Sequence, residues 1–180
     1  PWRYSAPHGH DHDRTDRRRD APNLIAPFTD ILRLARSGSP ERAWSLMAQN
    51  GLLDSDSDVV ARTLQARLVK ARAKRAAMGS EQARLFDRSA QIYAKAAGLS
   101  GQSYPLINAA TLSLFAGKAG QAEQFARQVL SLIDSDPEEG ETPYWREATR
   151  AEALLVLGRE VEARAALRRA LAIQPLAWED

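Results

Sequence analysis

The three histidines of the chain, His8, His10 and His12, are spaced by single residues and flanked by Asp11 and Asp13. In an extended segment alternate residues face one way, so imidazoles at this spacing can converge with a carboxylate on Zn²⁺ or Ni²⁺. A structural zinc site, however, closes four ligands on a folded frame. The segment holding these histidines, PWRYSAPHGHDHDRTDRRRDAP, contains almost nothing that packs a core beyond the rings of Trp2 and Tyr4. A metal ion there has to meet the ordering cost of a polar arm. Residues 1–22 therefore read as a polar His/Arg-rich tail whose chemistry extends to adventitious metal binding at His8, His10 and His12.

The remainder of the chain offers little for catalysis. Gly117-Lys118 is followed by Ala119, where a phosphate loop needs a hydroxyl for its metal ion. Gly98 and Ser100 are followed by Gln102 instead of the second glycine of a nucleophile elbow. The acidic run Asp54 to Asp58 has Val59 where a calcium loop requires glycine. With every histidine in the tail, residues 23–180 hold no side chain whose ordinary pKa suits proton transfer near neutrality. These absences point to a non-catalytic protein without a cofactor.

Composition narrows the class further. The chain has 180 residues, a formal net charge of +2 and no cysteine. Charge so near balance gives no strong field for phosphates. The missing thiols exclude disulfides and sulfur-ligated metals and fit a reducing compartment. No stretch approaches ~18 uninterrupted apolar residues, so a cytoplasmic protein without a membrane segment is expected. The basic run Arg62, Arg67, Lys70, Arg72, Lys74 and Arg75 is the best case for nucleic acid. On a helix Arg67, Lys70 and Lys74 share one face while Arg72 and Arg75 lie on another, and no aromatic residue is interleaved for base stacking. A solvated helix exterior is the expectation, and the alternative function is a metal- or nucleic-acid-responsive binding protein that uses the His/Arg tail and this basic helix, residues 62–75.

The elements that must position any site are helical. YPLINAATLSLFAG, Tyr104 to Gly117, and YWREATRAEALLVLG, Tyr144 to Gly158, share an aromatic start, small central residues and a terminal glycine, with the two glycines 41 positions apart. A period of that length belongs to architectures in which each supersecondary unit buries its apolar face only by stacking on its neighbours. From residue 23 the apolar residues follow a 3.6-residue period and predict four helical hairpins. The first turns at Gly38, with Ser39-Pro40-Glu41 opening its second helix. The second is capped by the acidic run, turns at Gly79, has Ser80 capping its second helix and stops at Gly98. The third turns at Gly117. The fourth turns at Gly158 and ends at Pro175. The expected fold is all-α, a right-handed α-solenoid of about four antiparallel hairpins occupying residues 23–180.

Hairpin four resembles the tetratricopeptide repeat. Counted from Gly158, residues Ala163, Leu167, Ala170 and Pro175 fall where that repeat places two small residues, a large apolar one and a terminal proline. Hairpin three keeps Gly117 and Ala122, hairpin one keeps Gly38 and Ala43, and hairpin two fits least, with Ser89, Tyr93 and Ala96 at a shifted register. A narrower likeness covers Leu64 to Pro175 and is clearest at Tyr104, Asn108, Ala109, Ala110 and Leu112 and again at Trp145, Ala148, Thr149 and Glu152. There the chain is similar to the tetratricopeptide-like, TRAF-binding domain of bacterial signalling proteins and of the apoptosis signal-regulating kinases. This resemblance implies a regulatory, protein-binding module, often attached to a catalytic domain that is not found in this chain.

In the tetratricopeptide register the first helix of each pair lines a concave face. The resemblance thus implies a peptide-binding groove built from Lys70 in hairpin two, Tyr104, Asn108 and Thr111 in hairpin three, and Trp145, Thr149 and Glu152 in hairpin four, with Ile107, Leu114, Ala148 and Leu155 beside them. Amide and hydroxyl groups with two aromatic rings and one ammonium suit an extended peptide. The last helix carries an apolar stripe of Ala163, Ala166, Leu167, Ala170 and Ile173 and a thinner one of Val161, Ala165 and Ala172, with no further capping helix. Self-association through the last hairpin, or coverage by the tail, is the expectation for that end.

Overall fold

The computed structural model describes residues 25–173 apart from 56 and 141, with side chains from residue 28 onward. The tail, its three histidines and Pro175 lie outside the described residues. Within them the chain forms eight helices and no strand: α1 (Ile25–Arg36), α2 (Pro40–Gln49), α3 (Val59–Arg75), α4 (Ser80–Ser100), α5 (Ser103–Phe115), α6 (Ala119–Ser135), α7 (Pro143–Val156) and α8 (Glu160–Ile173). Consecutive helices pair as a helical solenoid of the tetratricopeptide type.

Three of the four hairpins close with the same turn. At Gly117 the Lys118 amide donates to the Ser113 carbonyl at 2.9 Å and the Gly117 amide to Leu114 at 2.9 Å. At Gly158 the Arg159 amide donates to Leu154 at 2.9 Å and the Gly158 amide to Leu155 at 3.0 Å. This double bond satisfies the last carbonyls of the first helix only if the glycine is left-handed, and φ is +77° at Gly117 and +71° at Gly158. Amides of Gly38 and Ser39 make the equivalent bonds to Ala35 and Leu34. Five residues beyond each glycine, Ala43, Ala122 and Ala163 are buried, where a small side chain lets the second helix cross close to the first.

Hairpin two departs from this plan. Gly79 is the N-cap of α4, so Ser80 is its first helical residue and not its cap. The end of α3 is closed from outside: the Gln82 amide donates to the carbonyls of Ala73 at 3.1 Å and Ala76 at 3.3 Å. Helix α4 also runs through Gly98, the expected stop, to Ser100. A lone glycine in a helix costs only ~1 kcal/mol relative to alanine, and it is Gly101 that adopts φ +68° and donates to the Ala97 carbonyl. At the start of α3 the Asp58 carboxylate accepts from the amides of Val60 and Ala61 at 2.8 and 3.0 Å, and at the start of α7 the Thr142 hydroxyl accepts from Trp145. Ser39 flanks α2 as expected, but its side chain makes no capping bond.

The core is a series of overlapping clusters rather than one centre. Ile31, Met47 and Leu64 join α1, α2 and α3. Ala66, Tyr93 and Leu112 join α3, α4 and α5. Ala97, Ile107, Val129 and Ala153 join α4 to α7, and Leu154 and Ala166 join α7 to α8. Each cluster shares a helix with the next, as stacking of units demands. Small residues govern the close crossings, and the buried Ser89 hydroxyl donates to the Ala66 carbonyl across the α3–α4 contact at 2.7 Å.

On α8 the buried residues are Ala163, Ala166 and Ala170, while Leu167, Leu171 and Ile173 are about half exposed. Leu167 and Ile173 are therefore not on the packed stripe expected from their spacing. The alanines alone face α7, and the larger residues point away from it.

Candidate functional site

The first helices of hairpins three and four lie in register. The Thr111 hydroxyl of α5 donates to the Glu152 carboxylate of α7 at 2.5 Å, joining residues 41 positions apart. The same offset relates Tyr104 to Trp145, Asn108 to Thr149 and Leu114 to Leu155, so one period of sequence becomes one step between neighbouring helices. A residue at a given height on α5 has its counterpart at that height on α7.

Hairpin two adds Lys70. Its ammonium on α3 donates to the Asn108 side-chain oxygen at 2.8 Å, and the Asn108 amide donates to the Tyr104 carbonyl one turn earlier at 3.0 Å. The Lys70 ammonium also lies 5.7 Å from the centre of the Tyr93 ring, within range of the attraction between a cation and a π face. Burial pushes the Lys70 pKa below the usual lysine value. Lys74 and Arg67 add to that depression, and Glu152 opposes it.

Beneath Lys70, Tyr93 is fully buried, and its hydroxyl, whose polar neighbour is the Tyr104 phenol, makes no hydrogen bond of full geometry among the described residues. Burial raises this phenol far above its ordinary pKa, the neighbouring Tyr104 adds to the rise, and Arg67 works against it. Arg67 and Lys74 form no ion pair among the described residues. Lys70, Arg67 and Lys74 thus form a cationic face on α3, with Glu152 as the carboxylate acting on it.

The aromatic residues are exposed, Tyr104 by 50% and Trp145 by 45%, so neither is a core ring. Trp145 is held edge-on by Tyr144, with ring centres 5.0 Å apart at 78°. Leu114 and Leu155 are exposed at the other end of the same helices, whereas Ile107 is buried and contributes packing. Thr149 is half-buried and makes no side-chain hydrogen bond among the described residues. Of the seven residues expected to line a groove, Lys70, Asn108 and Tyr104 form one hydrogen-bonded chain and Thr111 and Glu152 form another, with Trp145 and Thr149 in register beside them.

The rest of the basic run has a different occupation. Arg72 grips Glu41 of α2 through two nitrogens, one of them Nε at 3.0 Å, and its guanidinium lies 4.4 Å from the Trp44 ring centre. Arg75 donates to the Gly38 carbonyl at 2.7 Å. These two arginines join hairpin two to hairpin one, Arg72 half-buried and Arg75 exposed. The role of Tyr93 and Arg67 at the base of the site was not apparent from sequence. Tyr93 reads as one of the shifted-register positions of hairpin two, with Ser89 and Ala96, and only the i, i+3, i+7 spacing of Arg67, Lys70 and Lys74 hinted at a common face.

A separate cavity of about 240 Å³ lies between α6, α7 and α8. Its guanidinium groups are engaged: Arg150 with Asp134 at 2.6 Å, Arg159 with Glu162 at 2.5 Å and Arg169 with Glu147 at 2.8 Å. It is a braced seam. Among the described residues no group of three or more His, Asp or Glu side chains is placed to hold a metal ion, and His8, His10 and His12 lie outside them.

Helical hairpins closed by left-handed glycines, crossing on small residues and aligning the first helix of each pair, define a tetratricopeptide-type repeat protein. The chain belongs to the Tetratricopeptide Repeats-Sensor family, whose model matches residues 15–113. No curated protein matches the chain. The family match includes Lys70, Tyr104, Asn108 and Thr111 and ends before Trp145, Thr149 and Glu152. It takes in hairpin two, which fits the repeat spacing least, and stops short of hairpin four, which fits it best. Repeats of this type generally bind protein partners and are generally not catalytic. No described helix is long and apolar enough to cross a membrane.

Proposed function

We propose that the chain is a non-catalytic recognition module that binds a peptide or protein segment along the face shared by α3, α5 and α7. The observation carrying this reading is the pair of hydrogen-bonded chains, Lys70–Asn108–Tyr104 and Thr111–Glu152, set beside the exposed rings of Tyr104 and Trp145. The internal bonds fix these side chains while leaving capacity unused. Lys70 spends one of three N–H donors on Asn108, and the Thr149 hydroxyl is uncommitted. Such groups match the amides of an extended backbone, and the rings offer the large, rigid contact area typical of binding hot spots.

A sensing role agrees with the family's description, and the likeness to TRAF-binding domains points the same way, toward a module that regulates through a partner. The alternative, nucleic acid held by the basic helix, loses part of its basis because Arg72 and Arg75 are spent on hairpin one. The test is selection of random 12-residue peptides on the chain, followed by calorimetric titration of the chain and of an Asn108→Ala, Trp145→Ala double variant. With helicity and melting unchanged, the variant should lose at least about tenfold in affinity, the scale of one lost hot spot. Equal affinity for both proteins would place the binding surface elsewhere.

A further inference from the structure

We propose that the floor of this face, formed by Arg67, Lys70, Tyr93 and Tyr104, is an oxyanion subsite that receives a carboxylate or phosphate of an acidic peptide. The inference rests on the peptide-binding reading above and names the chemistry that the peptide must carry.

Two independent observations support it. The first is charge without counterions. Arg67, Lys70 and Lys74 occupy positions i, i+3 and i+7 of α3, one face of the helix. Lys74 and Arg67 both act on Lys70 to depress its protonation. None of the three has an ion-pair partner among the described residues, whereas Arg72 on the other face of the same helix is paired. Lys70 is bonded to a neutral amide oxygen, which orients the ammonium without neutralising it. Glu152 acts on it from a distance and is itself engaged by Thr111.

The second observation is the Tyr93 hydroxyl. A buried phenol without a well-formed hydrogen bond is destabilising and is relieved by an acceptor. The Tyr93 ring lies under the Lys70 ammonium, and its phenol is acted on by Tyr104 and Arg67. Lys70, Arg67 and the two phenols offer N–H and O–H donors there, against one acceptor bonded to Lys70, the Asn108 side-chain oxygen, and one carboxylate acting on it, Glu152. An oxyanion supplies what they lack, acceptor oxygens and negative charge, and charge-assisted bonds of this kind are about twice as strong as neutral ones. A neutral peptide carbonyl supplies only the acceptor. An incoming cation would meet three like charges.

The test uses three labelled 12-residue peptides with identical Trp and Leu positions and with Glu, Gln or Lys at the remaining sites. A fourth peptide carries phosphoserine, and inorganic phosphate serves as competitor. Anisotropy titrations at constant ionic strength should rank the Glu and phosphoserine peptides at least about tenfold above the Gln peptide, with the Lys peptide weakest. That preference should disappear in Arg67→Gln, which keeps a half-buried polar side chain but removes its charge, and in Tyr93→Phe, which removes only the hydroxyl. The tighter of the phosphoserine and Glu peptides identifies the preferred anion, and inorganic phosphate should weaken both by the same factor because they share one subsite.

Equal binding of the Glu and Gln peptides, both still dependent on Trp145, overturns the anion subsite and leaves the peptide-binding reading standing. A preference for Glu that survives both substitutions also overturns it. Failure of all four peptides overturns the peptide-binding reading itself. Tighter binding of a 12-nucleotide oligo(dT) than of the Glu peptide, falling steeply with salt, overturns both in favour of nucleic acid.

Discussion

Replacement of Arg72 by methionine should loosen hairpin one and leave the remainder of the solenoid intact. Arg72 makes a two-nitrogen bridge to Glu41 and lies 4.4 Å from the Trp44 ring, with its side chain 29% exposed and that of Glu41 67% exposed. At that exposure the ion pair is largely screened and contributes about 0.5–1 kcal/mol. The contact with Trp44 adds about 0.5–1 kcal/mol. Arg72→Met keeps the apolar stem, so the loss should total about 1–2 kcal/mol, or a fall of about 2–8 °C in Tm at ~2–4 °C per kcal/mol for a chain of this size. A double-mutant cycle with Glu41→Gln separates the ion pair from the ring contact.

The pH dependence of that coupling follows from Glu41, whose carboxyl is held below the usual range mainly by its hydrogen bond to Arg72, with slight burial opposing. A depressed acid stabilises the fold above its unfolded pKa of ~4.3, and that contribution is lost as pH falls through the lower folded value. Coupling measured at pH 7 should therefore weaken as pH falls below the ordinary glutamate range and be lost once the lowered folded value is passed. Hydrogen exchange locates the effect: amides of α1 and α2 should lose protection while those of α5 to α8 keep theirs, because the core clusters are coupled only to their neighbours. Strict additivity of the two substitutions at pH 7, or uniform loss of protection along the chain, would refute this account of the joint.

Two further outcomes follow from the geometry. Alanine at Gly158, left-handed at φ +71° with open space around an added Cβ, should cost about 1–2 kcal/mol by backbone strain alone, while alanine at Gly98, helical and equally open, should add about 0.4–1 kcal/mol; paired thermal melts check the opposite signs. Acidic-peptide affinity should decline as pH rises through a midpoint below the ordinary lysine value, because binding needs the ammonium of Lys70, which burial, Lys74 and Arg67 depress against the pull of Glu152. The same depression means that charged Lys70 costs the fold stability at neutral pH, a cost relieved only as pH climbs toward the unfolded value. Anisotropy and chemical denaturation across pH 7 to 10.5 read the two effects separately.

Much of the architecture was legible because two residue types carry strong local meaning. Gly117 and Gly158 mark turns that require a left-handed residue, and their spacing of 41 fixes the unit. Alanines five positions later are small for a steric reason that any copy must obey. The register of Thr111 with Glu152 follows from that unit without further information. Other features depend on neighbours remote in sequence. Arg72 and Glu41 are 31 positions apart and Arg75 and Gly38 are 37 apart, so periodicity within α3 could separate two basic faces but not say that one is structural. Gly98 reads as a stop by residue type, yet Gly101 takes the left-handed conformation and the final carbonyl bond. Leu167 reads as core by spacing, but the packed face of α8 is narrower than its apolar face and holds only alanines. Tyr93 looks like ordinary filling, and only the structure sets its ring beneath Lys70 and leaves its buried hydroxyl without a well-formed hydrogen bond.

The register between α5 and α7 also makes this surface a ruler. Packed helices stand about 8–10 Å apart, and one step carries the surface from Tyr104 to Trp145 or from Asn108 to Thr149. A β-strand laid across the steps advances ~3.3 Å per residue and turns alternate side chains away, so the same face returns after two residues, out of phase with the helices. A polyproline II segment presents the same face every third residue, after about 9.3 Å, and stays in phase. Recognition across these helices would then proceed in triplets, one ligand side chain per hairpin. Duplication of a 41-residue unit would lengthen the message by one letter without disturbing those already read.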